Sequence, residues 1–176
     1  MSAHQTPDRD VGTLAGTGSL QWRTGGLGDS AAVAALAETA FDPHFREAWT
    51  EAQIAALLAT SGAWLDLAHH SDLAQPRSVL AAFAMSRQTF DEVELLLCAV
   101  APAWRGNGEG RRLIDAVVES ARGRGARRLF LEVRASNMAA LSLYQSAGFR
   151  PEGRRPGYYR TLGGKSIDAV TLSLTL

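Results

Sequence analysis

The apolar run Leu95-Leu96-Leu97-Cys98-Ala99-Val100 is followed within a few residues by Arg105-Gly106-Asn107-Gly108-Glu109-Gly110-Arg111, and then by an amphipathic helical pattern. A strand that enters a helix through a glycine-rich turn constrains the chain to an α/β unit, with backbone N–H groups exposed at the helix N-terminus. Leu113, Ile114, Val117, Val118 and Ala121 recur at helical spacing, while Arg111, Arg112, Asp115, Glu119 and Arg122 fall largely elsewhere on the wheel. One face of that helix therefore packs on a sheet. Gly106, Gly108 and Gly110 lack side chains, so an anion can approach the main chain, and Arg105 and Arg111 can add charge-assisted bonds to a phosphate.

Three phosphate-binding designs compete for this junction. A Walker loop needs a glycine, four residues, then Gly-Lys-Ser/Thr; Gly164-Lys165-Ser166 supplies the tail, but Tyr159 stands where the first glycine belongs. A dinucleotide fingerprint needs G-x-G-x-x-G, and here Arg111 replaces the third glycine late in the chain. The remaining form, Arg105-x-x-Gly108-x-Gly110, is similar to the Arg/Gln-x-x-Gly-x-Gly/Ala motif of the acetyl-CoA-dependent GNAT N-acetyltransferases.

Further motifs sharpen the resemblance. Leu131-Glu132-Val133-Arg134-Ala135-Ser136-Asn137, then Ala139-Ala140, Leu143-Tyr144 and Gly148-Phe149, resemble the RimI-type protein N-terminal acetyltransferases within that family. The likeness continues through Gly153-Arg154-Arg155, Gly157-Tyr158-Tyr159 and Asp168-Ala169, and is dense from about Val79 to Val170. The resemblance implies an α/β (α+β) GNAT fold: one domain with a central mixed, mostly antiparallel twisted sheet of about seven strands flanked by about four helices. Its co-substrate would be acetyl-CoA and its acceptor a protein or peptide N-terminus, with the N-terminal alanine of a small-subunit ribosomal protein as the example the family offers.

Patterning along the chain agrees. Residues 1–18 are polar and rich in Gly and Thr, with no apolar run, which reads as a disordered tail rather than a signal peptide, leaving 19–176 for the domain. A strand is expected near Leu20–Arg23, a helix over Ala31–Phe41, and a second helix from the capping box Thr50-x-x-Gln53 through Leu58. Strands follow at Ala63–Ala68, Val79–Arg87 and Val93–Val100, the last apolar enough to be buried on both faces. After the glycine-turn helix, stopped by Gly125, Leu129, Leu131 and Val133 alternate with Phe130, Glu132 and Arg134 as a strand. Asn137 caps a helix over Met138–Ser146, stopped by Gly148, and two final strands run near 153–160 and 167–176.

Composition sets limits. The 176 residues are 46% hydrophobic, enough for one core, with no apolar stretch long enough to cross a bilayer. A formal net charge of +0 argues against a general nucleic-acid binder. Cys98 is the only cysteine and the four histidines show no metal-ligand spacing, so neither disulfides nor a metal is expected. These features together fit a cytoplasmic protein, monomeric or weakly dimeric, with no nucleic-acid or membrane partner.

The resemblance assigns roles. Glu132 would accept the proton of the acceptor ammonium, directly or through water, and Tyr144, a phenol of pKa about 10, would donate to the leaving thiolate. Glu94 lies on the strand before the cradle, where many members of the family place their base, so it could share or take that role, or hold the catalytic water instead. Cys98, Ala99 and Val100 would pair with the pantetheine arm of the cofactor, Asn137 would bond the same arm, and residues 105–111 would hold its diphosphate. Structural roles stand beside these: Asn137 is a good helix cap, Tyr144 can be a core aromatic, Cys98 a core thiol, and the Arg154-Arg155 and Tyr158-Tyr159 group an exposed edge. The acceptor can be weighed energetically. An α-amine of pKa about 8 is neutral roughly a hundredfold more often than a lysine of pKa about 10.4, a head start of about 3 kcal/mol, so one carboxylate base suffices for an N-terminus. The stretch Phe41–Trp49, expected to wall the acceptor pocket, holds Asp42, His44, Arg46 and Glu47 and favours neither a peptide nor a small amine; the other alternative, a non-catalytic acyl-CoA-binding module on the same fold, is opposed by retention of both Glu132 and Tyr144.

Overall fold

Alternating apolar rows in six hairpin-linked or crossover-linked segments, plus an edge strand at the start, assemble into one sheet. The computed structural model describes residues 20–70 and 79–176. The tail expected over 1–18 and the inter-strand segment 71–78 lie outside the described residues. The strands are β1 (Leu20–Gly25), β2 (Ala63–His70), β3 (Val79–Thr89), β4 (Glu92–Val100), β5 (Arg128–Arg134), β6 (Arg150–Arg160) and β7 (Ser166–Thr175). The helices are α1 (Ser30–Ala40), α2 (Glu51–Leu58), α3 (Glu109–Gly123) and α4 (Met138–Ser146).

The sheet runs β1-β2-β3-β4-β5-β7-β6. Every pair is antiparallel except β4 with β5, which the α3 crossover joins in parallel. This is the mixed, mostly antiparallel arrangement expected.

Two cores lie on opposite faces. Leu113, Ile114, Val117 and Ala121 of α3, with Tyr144 of α4, pack on Trp64, Ala82, Ala84, Val93 and Leu95. Val33, Leu36 and Ala37 of α1 and Ile54 of α2 pack on Leu65, Leu67, Phe83 and Met85. Each fully buried Leu, Ile, Val or Phe contributes about 1.5–3 kcal/mol, so the helical stripes are sufficient to seat all four helices. The α2 capping box forms as the sequence specifies: Gln53 N donates to Thr50 Oγ1 at 3.3 Å, and Thr50 N to Gln53 Oε1 at 2.9 Å.

One expectation is corrected. β4 is not buried uniformly on both faces: Val93, Leu95, Leu97 and Ala99 are buried, while Glu94, Leu96, Cys98 and Val100 are half-buried. Glu94, Leu96 and Cys98 border open space between β4 and β5, and a bulge exchanges the faces of the buried residues. Met85 pairs with Leu97 and Ser86 with Leu95, so Leu96 has no partner on β3. Val93 and Leu95 therefore face the α3 core, whereas Leu97 and Ala99 face the α1–α2 core and Cys98 turns back to α3.

Candidate active site

Pairing between the parallel strands stops at Leu95 with Leu131, although β4 continues to Val100 and β5 to Arg134. Just past the Leu96 bulge the two strands part, each still held by its outer neighbour, β3 and β7. The gap is a cleft of about 310 Å³, lined by Leu96, Leu97 and Cys98 from one strand and by Leu131, Glu132 and Val133 from the other. Ala140 and Tyr144 of α4, with its N-cap Asn137, close one side; Phe41, Arg46, Glu47 and Trp49 of the α1–α2 connection, with Tyr158 and Tyr159 of β6, wall the other.

The glycine turn lies at the end of β4. Gly106 and Gly108 adopt φ of +82° and +84°, and a Cβ added at either would meet no atom within 4 Å. None of the amides of residues 106–110 finds an acceptor among the described residues, whereas the Arg111 amide donates to O of Gly108, the N-cap of α3, at 3.0 Å. The amides of Gly106, Asn107, Gly108, Glu109 and Gly110 are thus open, whereas that of Arg111 is engaged. Gly110 has a second role, because a Cβ there would lie 3.2 Å from Leu143 of α4.

The charged side chains expected at the cradle point elsewhere. Arg105 donates to Val100 O at 3.0 Å and Ala40 O at 2.7 Å, tying the turn to α1. Arg111 donates to Asp115 at 2.8 Å and to Ser146 O at 3.0 Å, tying α3 to α4. The Glu109 carboxylate is buried and accepts from Arg112 at 2.8 Å. Here these side chains brace the cradle, and the backbone is left to meet an anion.

Within the cleft, the Tyr144 hydroxyl and the Cys98 thiol share a hydrogen bond at 3.3 Å. Burial, followed by the neighbouring Cys98, holds the Tyr144 phenol well above its ordinary value, and burial pushes the Cys98 thiol up as well. Both stay protonated at neutral pH. Tyr144 also packs on Phe149, ring centroids 5.7 Å apart, so it is a core aromatic and a cleft-facing donor at once. Asn137 caps α4 through Oδ1, which accepts from Ala140 N at 3.2 Å, leaving its Nδ2 as a donor for the cleft.

Glu132 projects on the face opposite Leu131, as alternation requires. Its carboxylate is held by Arg155, whose Nη1 donates to both oxygens at 2.9 and 3.0 Å. The other two cleft carboxylates are also paired: Glu47 with Arg134 at 2.6 Å and Glu94 with Arg87 at 3.1 Å. Burial raises Tyr159 far above the ordinary phenol value, and its hydroxyl donates to Glu132 O at 3.4 Å. Sequence reasoning missed these arginine partners. Each comes from a different element, with no local spacing to signal it.

Comparison with known proteins agrees with this architecture. The acetyltransferase (GNAT) family model matches residues 32–149. The Escherichia coli ribosomal protein bS18 alanine N-acetyltransferase is 40% identical over 97 residues, 55% of this chain and 65% of the relative. The Mycobacterium tuberculosis N-alpha-acetyltransferase RimI is 46% identical over 81 residues, 46% of this chain and 48% of the relative. The aligned chain therefore spans less than two thirds of the length of either relative. The crystal structure of the Escherichia coli ribosomal-protein-S18-alanine N-acetyltransferase superposes with a TM-score of 0.75 at 29% identity, covering 89% of this chain and 94% of that one. With parted parallel strands, an open glycine cradle and a family model covering most of both, the chain belongs to the acetyltransferase (GNAT) family.

Proposed function

We propose that the protein transfers an acetyl group from acetyl-CoA to the α-amine of a protein N-terminus, by direct transfer with both substrates bound. The reading rests on one observation: Glu132 and Tyr144 line the same cleft, at the point where β4 and β5 part beside the open amides of 106–110. The residues present fit coenzyme A. The cradle amides lack internal acceptors, the positive-φ glycines leave the approach clear, and the edge of β4 beyond Leu95 is unpaired towards β5.

Acetyl-CoA, when bound, supplies an activated thioester. The amides of Gly106 to Gly110 hold the diphosphate at the N-terminus of α3, with Cys98, Ala99 and Val100 alongside the pantetheine arm and Asn137 Nδ2 bonding it. Glu132 receives the ammonium proton of the acceptor, and Tyr144, kept protonated by burial, gives its proton to the leaving thiolate. Cys98 is not an acyl carrier in this scheme: its thiol is raised by burial and its partner is a neutral phenol, not a base.

The names of the relatives support a protein N-terminal acceptor, with the alanine terminus of a ribosomal protein as the first to test. The cleft supports it too. All three of its carboxylates are paired with arginines, so it lacks the surplus negative charge that a small polycation would demand. The test is turnover of Glu132→Gln against a panel of N-terminal peptides and free small amines. We expect kcat on an alanine-terminal peptide to fall by about two to four orders with acetyl-CoA affinity retained. Undiminished turnover would transfer the base role to Glu94, and faster turnover of small amines by the parent enzyme would overturn the choice of acceptor.

A further inference from the structure

We propose that Arg155 determines acceptor specificity: its guanidinium occupies, on Glu132, the place that a protonated acceptor amine takes, so the acceptor binds by displacing it. This rests on the reading of Glu132 as the base.

The geometry has three parts. Arg155 Nη1 spans both oxygens of Glu132, so another cation reaching that carboxylate competes with it directly. The pair is lopsided: the Glu132 side chain is 19% exposed and that of Arg155 56%. Of the three arginines paired to cleft carboxylates, Arg155 is the most exposed, against 42% for Arg87 and 10% for Arg134. It returns to water at the lowest cost. The third part is the local backbone. β6 loses register with β7 between Arg155 and Tyr159, and the Arg155 guanidinium already lies 4.1 Å over the ring of Tyr158, which gives the displaced cation a resting surface.

Exchange of a guanidinium for an ammonium leaves Glu132 paired throughout. A neutral nucleophile has no such exchange available, because displacing Arg155 would leave a largely buried carboxylate without a counter-charge. Arg155 therefore selects acceptors that arrive protonated. The other charged and titratable groups lining this part of the cleft are Arg46 and Glu47 from the α1–α2 connection, Glu94 and Cys98 from β4, Tyr144 from α4, and Tyr158 and Tyr159 from β6. Glu47 and Glu94 are held by the less exposed Arg134 and Arg87, so displacing the arginine costs more at either than at Glu132.

The test measures peptide dissociation constants by calorimetry with coenzyme A present, on the parent protein, Arg155→Ala, Arg155→Gln and Glu132→Gln/Arg155→Ala. The probes are an alanine-terminal peptide and the same peptide N-acetylated. We expect Arg155→Ala and Arg155→Gln to tighten binding of the free-amine peptide about threefold to fivefold, the worth of a partly exposed ion pair. The acetylated peptide should show no gain, and the gain should vanish in the Glu132→Gln background. Unchanged or weaker binding of the free amine overturns the proposal, as does an equal gain for the acetylated peptide, which would make Arg155 a steric obstruction. The two readings separate cleanly. Full turnover in Glu132→Gln removes the base assignment, whereas loss of turnover there, with no tightening in the Arg155 variants, removes only the displacement idea.

Discussion

Arg134→Ala should unfold the acceptor wall from within. Arg134 Nε donates to Glu47 Oε1 at 2.6 Å, with side-chain exposures of 10% and 15%. Its Nη1 reaches Ser136 Oγ at 3.1 Å, and its guanidinium lies 3.5 Å over the ring of Phe45. Truncation strands Glu47 in a nearly dry site. Removing one partner of a buried pair costs about 3–5 kcal/mol, and the residual water access here puts the loss near the lower end, about 3 kcal/mol. For a domain of this size that lowers Tm by about 6–12 °C. Urea unfolding followed by fluorescence and circular dichroism gives the loss, with two controls. Glu47→Leu/Arg134→Met, which removes both charges, should return to within about 1 kcal/mol of the parent. Arg23→Ala, which breaks the more exposed Arg23–Asp29 pair, should cost no more than about 1 kcal/mol. A loss below about 1 kcal/mol for Arg134→Ala, or a double variant as unstable as the single one, would refute the claim that this pair is a desolvated tie between β5 and the α1–α2 connection.

Two further outcomes are expected. Tyr144→Phe should lower kcat about a hundredfold or more while costing less than about 1.5 kcal/mol of stability, since only the bond to Cys98 is lost. In the parent enzyme the kcat–pH profile should show no fall from Tyr144 up to about pH 10, because burial holds the phenol above its ordinary value. Burial also pushes the Asp66 carboxyl up, against hydrogen bonds from Ser120 and Trp64 that lower it. The native state therefore holds that proton more tightly than the unfolded chain. The contribution to stability is fully present below about pH 4 and is lost as pH rises through the folded value. Asp66→Asn should make the slope of unfolding free energy against pH more positive between about pH 4 and 7 in urea titrations, and an unchanged slope would count against the shift.

What the sequence discloses tracks how local the physics is. The α2 box, the Asn137 cap, Gly125 and Gly148 as helix stops, and the alternation of β5 depend on residues a few positions apart, and each appears where the pattern specifies. The glycine cradle was legible for the same reason. The direction of Arg105 and Arg111 was not, because their acceptors, Ala40 O and Ser146 O, come from α1 and α4. Nor was the burial of β4, where a continuous apolar run hides a two-versus-one pairing that only the neighbouring strand reveals. The arginine on Glu132 belongs to this second class, since β7 lies between β5 and β6 in the sheet and Arg155 reaches across it.

The unmatched Leu96 fixes an odd–even rule for the middle of the molecule. Upstream of it, odd-numbered positions of β4 look towards α3; downstream, even-numbered ones do. Shortening this segment by a single codon would leave Leu97 and Ala99 opposite Met85 and Phe83 in their core, make the alternation uniform along β4, and let the parallel ladder zip onward across the space a thioester needs. The aperture between β4 and β5 is thus encoded by counting, one residue more than a regular ladder would hold, and substitution of side chains alone does not close it.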